Sequence, residues 1–137
     1  MEVARYLRVP FSETGNDWTG CNCWGLVVLA YREELGIELP GFDRLPSTQI
    51  IDVAAEIGIR SKLWDKVAEP EPYDVVVMSG ISIMNGRSLA VNAHVGLAVS
   101  DTHMLHTEEG VGPQCIPLDD PLINRRVVEF RRYAGEC

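Results

Sequence analysis

Apolar residues form a nearly unbroken block early in the chain, where Cys23, Trp24, Leu26, Val27, Val28, Leu29, Ala30 and Tyr31 are interrupted only by Gly25. A run that is apolar on every side predicts a buried helix rather than an amphipathic one. Asn22 supplies an N-cap, Gly36 a terminator, and Pro40 lies just beyond, so the helix is expected over residues 23–35. Before it, Gly15, Asn16, Asp17 and Gly20 mark an irregular, turn-rich lead-in. After it, Ile50, Val53, Ala54 and Ile57 fall at i, i+3, i+4 and i+7, which predicts a second helix over residues 48–57.

From Pro70 the pattern changes to strands. Residues 73–78 are a β-branched run that gives way to a Gly/Ser/Asn-rich loop. Residues 94–99 and 103–107 read as two strands joined by a turn at Ser100 and Asp101. A short strand near residues 114–116 and a last one over 126–133 complete the set. Helices first and hairpin-linked strands afterwards predict an α+β fold, with N-terminal helices packed on a C-terminal antiparallel β-sheet.

Length and composition add bounds. A chain of 137 residues, without repeats or a linker, is expected to form one domain over residues 1–137. The net charge of −8 and a pI near 4.8 argue against a general nucleic-acid binder, which needs a basic face to displace counterions. Arg125, Arg126, Arg131 and Arg132 gather near the end and are expected on a solvated strand edge. With no charged start followed by an apolar run, and no apolar stretch long enough to span a bilayer, synthesis in the cytoplasm without a signal peptide is expected.

Of the four cysteines, Cys23 stands out, because it begins the buried helix immediately after the cap. Helix N-termini present unsatisfied N–H groups and the positive end of the macrodipole, which favours a reactive thiolate. The opposing reading is an inert packed cysteine, which also suits Cys115, while Cys137 reads as a loose terminal thiol. His94 and His106 are equidistant from residue 100, so they are expected as cross-strand neighbours on one face. One imidazole can then take the thiol proton while the other orients it. His103 has the wrong parity and is expected near solvent. Cys21, Cys23, His103, His106 and Cys115 are zinc-ligand types, but their spacing is not a zinc pattern, so neither metal nor cofactor is expected. Glu108 and Glu109 read as a solvated loop, and Asp119, Asp120 and Pro121 as a turn.

Four segments carry a resemblance. Asn22-Cys23-Trp24-Gly25-Leu26-Val27 resembles the Asp-Cys-Ser/Trp-Gly-Leu/Phe-Val motif of NlpC/P60 cysteine peptidases, and Pro72-Tyr73-Asp74-Val75-Val76 its Pro-Gly-Asp-Leu/Val-Val strand start. His94-Val95-Gly96-Leu97-Ala98-Val99 and Met104-Leu105-His106-Thr107 resemble its two histidine strands, in family order. Trp24, Tyr31-Arg32, Gly36-Ile37-Glu38-Leu39-Pro40 and Phe130-Arg131-Arg132-Tyr133 further resemble the branch found in phage tail tips and gene-transfer particles.

The resemblance implies a papain-like NlpC/P60 fold and hydrolysis of peptidoglycan stem peptides at the D-glutamyl–diamino acid bond. It implies Cys23 as nucleophile, His94 as general base and His106 as orienting residue, with Trp24, Phe11 and Asp17 on the substrate side. The implied partners are the stem peptide and other tail-tip proteins. Two departures stand out: Asn22 replaces the usual Asp, and Phe11 occupies the place of a site Tyr. The competing expectation is a structural tail-tip component that keeps the fold without turnover; acyl transfer on the same scaffold is a third.

Overall fold

A computed structural model describes residues 1–39, 63–84 and 87–135. The helix expected over residues 48–57 and Cys137 lie outside the described residues.

The apolar block forms helix α2, Cys23–Ala30, preceded by a short turn of helix, α1, at Val3–Tyr6. All eight residues of α2 are buried, as a helix apolar on every side requires. The Asn22 side chain accepts the Gly25 N–H at 2.7 Å, satisfying one of the orphan donors of the first turn. The helix continues as a π-helical turn over Tyr31–Leu35 and ends at Gly36, whose φ of 65° closes it in the left-handed conformation. Between α1 and α2, two short strands, β1 (Asn16–Asp17) and β2 (Gly20–Cys21), pair antiparallel and lead into the helix.

The remaining strands are β3 (Trp64–Val67), β4 (Val75–Met84), β5 (Arg87–Ala98), β6 (His103–Glu108), β7 (Gly112–Pro117) and β8 (Val127–Tyr133), with a short helix α3 (Pro121–Asn124) before the last. They form one six-stranded sheet in the order β3-β8-β4-β5-β6-β7, with every pairing antiparallel. The α+β expectation is met. Strand alternation divides the core: Val75, Val77, Val95, Leu97 and Leu105 face α2, while Val76, Met78, Ala98 and Met104 meet Ile123 of α3 on the other side.

Three expectations change. The Gly/Ser/Asn-rich segment after Met78 is not a loop, since β4 runs on to Met84 and pairs with β5 through Met84↔Arg87. The turn expected at Asp119, Asp120 and Pro121 is present, with the Asp120 N–H on the Pro117 carbonyl, but it runs on into α3, with Asp120 accepting the Leu122 N–H and Pro121 in the first turn. The arginine-rich last strand is not an edge: β8 lies between β3 and β4. Its arginines are accommodated there by carboxylates, Arg131 by Glu129 and Arg132 by Asp74 and Glu71.

Tyr73 has a φ of 74°, a left-handed conformation that is costly for a residue with a Cβ. It stands where the resembling motif has Gly. Its N–H donates to the Ala98 carbonyl, its carbonyl accepts the Tyr31 hydroxyl, and its ring packs edge-on against Tyr31. Tyr73→Gly relieves about 1 kcal/mol of backbone strain and loses a ring contact of similar size, so stability should change by less than about 1 kcal/mol. Tyr73→Val loses the ring and keeps the strain, and should cost about 2 kcal/mol or more. Urea unfolding of the two variants measures the difference.

Candidate active site

Cys23 opens α2 where the helix start meets β5. Its side chain is 3% exposed, and the sulfur receives the backbone N–H of Val95 together with those of Cys23 and Trp24. Pairing of β5 with β6 is confined to Leu97↔Leu105 and Ala98↔Met104. The thiol meets the Val95 N–H two residues before the first paired rung, so the helix start sits beside the end of the β5–β6 pairing.

The approach of helix and lead-in depends on glycine. A Cβ at Gly25 would stand 1.9 Å from the Gly15 carbonyl oxygen, which also accepts the Asn22 N–H at 3.1 Å. Asn22 adds a second tie by donating its Nδ2 to the Glu13 carbonyl at 2.9 Å. An aspartate at this position would keep the cap but lack that donor.

The histidines meet. His94 Nε2 lies 2.8 Å from His106 Nδ1, with the rings edge to face. The centre of their hairpin lies one residue, and its register two residues, from the expected one. Val99 donates to His103, and the turn spans Ser100–Thr102 with Ser100 Oγ accepting the Thr102 and His103 N–H groups. The hairpin is therefore centred on residue 101. Carried on, its register sets Gly96 opposite His106 and His94 opposite Glu108, and the histidines touch diagonally. A Cβ at Gly96 would lie 3.3 Å from that of His106, so Gly96 makes room for the ring. The β4–β5 pairing shifts register beside the Met78↔His94 rung, a bulge of the kind that re-aims a side chain next to a site.

Glu108 ends β6 and is not loop; the solvated reading is wrong. Its Oε1 lies 3.4 Å from His94 Nε2, 3.7 Å from His106 Nδ1 and 2.6 Å from Arg126. Arg126 also donates from Nε to the Ser79 carbonyl at 3.1 Å, anchoring it to β4. The alternation Met104, His106, Glu108 is the signal that could have placed the carboxylate on the histidine face.

A family comparison fits this geometry. The NlpC/P60 family model matches residues 8–132. The chain belongs to the NlpC/P60 family. Its α+β arrangement is the papain-like NlpC/P60 fold. The fold is similar to that of a lipoprotein-like NLP/P60 protein from Staphylococcus aureus, at 19% identity and a TM-score of 0.63, over 98% of this chain and 40% of that one. It is also similar to the NlpC/P60 domain of the peptidoglycan hydrolase SagA, at 16% identity and a TM-score of 0.58, over 95% and 91%. The chain thus spans well under half of the staphylococcal protein's length. No curated protein sequence matches it.

Within this NlpC/P60 domain, burial opposes the helix start at Cys23. Desolvation pushes the thiol up to about 12, against the N–H groups of Val95, Trp24 and Cys23 that pull it down. The resting thiol is therefore neutral, contrary to the thiolate expected from helix position alone. The N–H groups reward a charge that burial keeps from forming until a base takes the proton.

The other site residues fall in different surroundings. Trp24 is 2% exposed and packs edge-on against Trp64 in the core. Phe11 is half-buried in a bridge beside Cys21. Asp17 is exposed, and its Oδ1 accepts from the Thr19 N–H and hydroxyl within the β1–β2 turn. His103 is exposed at its turn, as its parity predicts. Cys115 is exposed on β7 rather than packed. Strand alternation sets His103 and Cys115 on the face opposite His106, so the five zinc-type residues do not converge.

The ligand atoms of His94, His106 and Glu108 do lie within 4.8 Å of one another. The Glu108 oxygen is already engaged by Arg126, and the two ring nitrogens by each other. Among the described residues, no helix is long and apolar enough to cross a membrane.

Both imidazoles are held below the ordinary range, chiefly by burial and, for His94, next by its neighbour His106. In the unfolded chain they protonate near pH ~6.5, while in the fold they stay neutral. The unfolded state therefore binds more protons as pH falls through that value, and stability is lost on the acid side. Melting temperature should fall steadily between pH 7.5 and 5.5. A His94→Gln, His106→Asn double variant should flatten that slope, and an unchanged slope would show that the histidines do not cause it.

Proposed function

We propose that this chain is a cell-wall hydrolase, a cysteine endopeptidase acting on peptidoglycan stem peptides. The observation that carries the reading is the buried His94–His106 pair, 2.8 Å apart, in an NlpC/P60 domain whose helix-start thiol lies against the backbone N–H of Val95, the chain neighbour of His94. Cys23 attacks the amide carbon as His94 takes its proton. The N–H at the helix start stabilises the oxyanion, and the protonated His94 then gives its proton to the departing amine. Water, activated by His94, hydrolyses the thioester and returns the thiol. His106 holds His94 through the 2.8 Å contact and acts as a positioning residue.

The bond we assign is that between D-glutamate and the diamino acid. The carrier we assign is a phage or phage-like tail tip; support for it comes from the sequence likeness in the Tyr31–Pro40 and Phe130–Tyr133 regions. On this reading the tail-tip proteins are its partners, and the chain acts outside the cell that makes it. Residues 1–137 form a single catalytic domain on this reading, with Phe11 and Asp17 bordering the substrate and Trp24 shaping the helix start from the core.

A second reading, a structural part of a tail tip without turnover, is favoured by one observation: the Cys23 thiol is 3% exposed and neutral at rest. Digestion of purified peptidoglycan, with mass spectrometry of the released muropeptides, separates the two. New ends between D-glutamate and the diamino acid support the endopeptidase. No release from walls of several chemotypes supports the structural part.

A further inference from the structure

We propose that Glu108, clamped by Arg126, is a positioning residue that shares with His106 the N–H of His94. The inference rests on the cysteine-peptidase reading of the same site and adds a fourth and fifth residue to it.

Proton bookkeeping at the histidines leads there. If His94 accepts the Cys23 proton at Nδ1, its Nε2 carries the hydrogen. That hydrogen faces His106 Nδ1 at 2.8 Å and the Glu108 carboxylate at 3.4 Å. His106 must then carry its own hydrogen on Nε2, an atom that is buried and has no hydrogen-bond partner among the described residues. His106 is therefore a neutral acceptor in a poorly satisfied setting. It can orient His94 but offers no charge to the imidazolium that forms when Cys23 loses its proton. Glu108 supplies that charge from the same side.

The carboxylate is kept ionised for this. Burial works against its charge, but the hydrogen bond and positive charge of Arg126 outweigh it and hold its pKa below the usual range. Arg126 is fixed in turn, through its side chain to the Ser79 carbonyl and through its backbone carbonyl, which accepts the Ser79 N–H at 2.7 Å. The guanidinium also offsets part of the charge that His94 feels. The titratable and charged groups facing His94 are thus His106 and Glu108 from β6 and Arg126 from the segment before β8, with Cys23 its proton donor on the cysteine-peptidase reading. Glu108 and Arg126 act on His94 with opposite signs.

That opposition makes the test. Histidine protonation and tautomer are read by 15N NMR, and Cys23 reactivity by the rate of iodoacetamide labelling across pH, on the intact chain. Glu108→Gln keeps an acceptor for Arg126 and removes the charge. It should lower the pH at which His94 protonates and slow Cys23 labelling at pH 7 by roughly tenfold or more. Glu108→Asp should recover part of the rate. Arg126→Gln should move His94 protonation the opposite way, upward.

Unchanged His94 titration and labelling in Glu108→Gln would overturn the proposal. So would a shift in the same direction for both variants, which is what a merely structural pair would give. Neither readout requires a wall substrate. Inactivity on peptidoglycan together with opposite shifts would defeat the endopeptidase reading and leave this one standing.

Discussion

Cys23→Ala protein is expected to release no muropeptides above background from peptidoglycan that wild type digests, a loss of at least ~10³-fold. Removing the nucleophile leaves only positioned N–H groups and a histidine pair with no bond to make. The substitution also replaces a buried thiol of similar size to the new methyl, next to Val95 and at the start of a fully buried helix. The fold should therefore be kept, and the melting temperature should fall by no more than a few degrees. Muropeptide release by Cys23→Ala at the wild-type rate would remove Cys23 from the chemistry.

Gly25→Ala is expected to be the most disruptive small substitution in the described structure. The added Cβ would meet backbone, the Gly15 carbonyl, at 1.9 Å, and no rotamer can relieve that contact. The same carbonyl accepts the Asn22 N–H, and Gly15 is itself confined, with a Cβ there 2.1 Å from the Gly20 carbonyl. Overpacking usually costs about 1–3 kcal/mol, and a backbone-to-backbone clash belongs at or above the top of that range. The gain in helix propensity from glycine to alanine returns at most about 1 kcal/mol. A net loss of about 3 kcal/mol should lower the melting temperature by roughly 10 °C. A loss below about 1 kcal/mol by calorimetry would mean that the segment around Gly15 can lift off the helix.

The sequence disclosed most where the physics is local. Helix α2 was legible because apolar residues on every side, an Asn cap and a terminal Gly all point the same way. The histidine pair was legible from parity, even though the turn is centred on residue 101 and the contact is diagonal.

What escaped was decided by tertiary neighbours. Strand β3 carries no β-branched run to announce it, and the β8 arginines look like a solvated edge, yet β3 pairs with β8, and carboxylates from elsewhere let β8 lie inside the sheet. Glu108 beside Glu109 looked like loop because the identity of the residue outweighed its place in the alternation. The state of Cys23 was misjudged because a helix start can be read from sequence, whereas the burial that opposes it cannot.

The place of β8 bears on how the molecule comes into being during synthesis. Chains emerge from the ribosome in order, and β8 is the last of the eight described strands to appear, although it sits second in the sheet. Until it arrives, β3 lacks its only partner among the described strands, and the long β4 presents a bare edge to them. Arg126, which clamps Glu108, emerges just ahead of it. A nascent chain stalled before residue 126 would carry Cys23, His94 and His106 but not the clamp or the strand behind it. The site is thus completed only after β8 has emerged, which delays its assembly until the sheet can close.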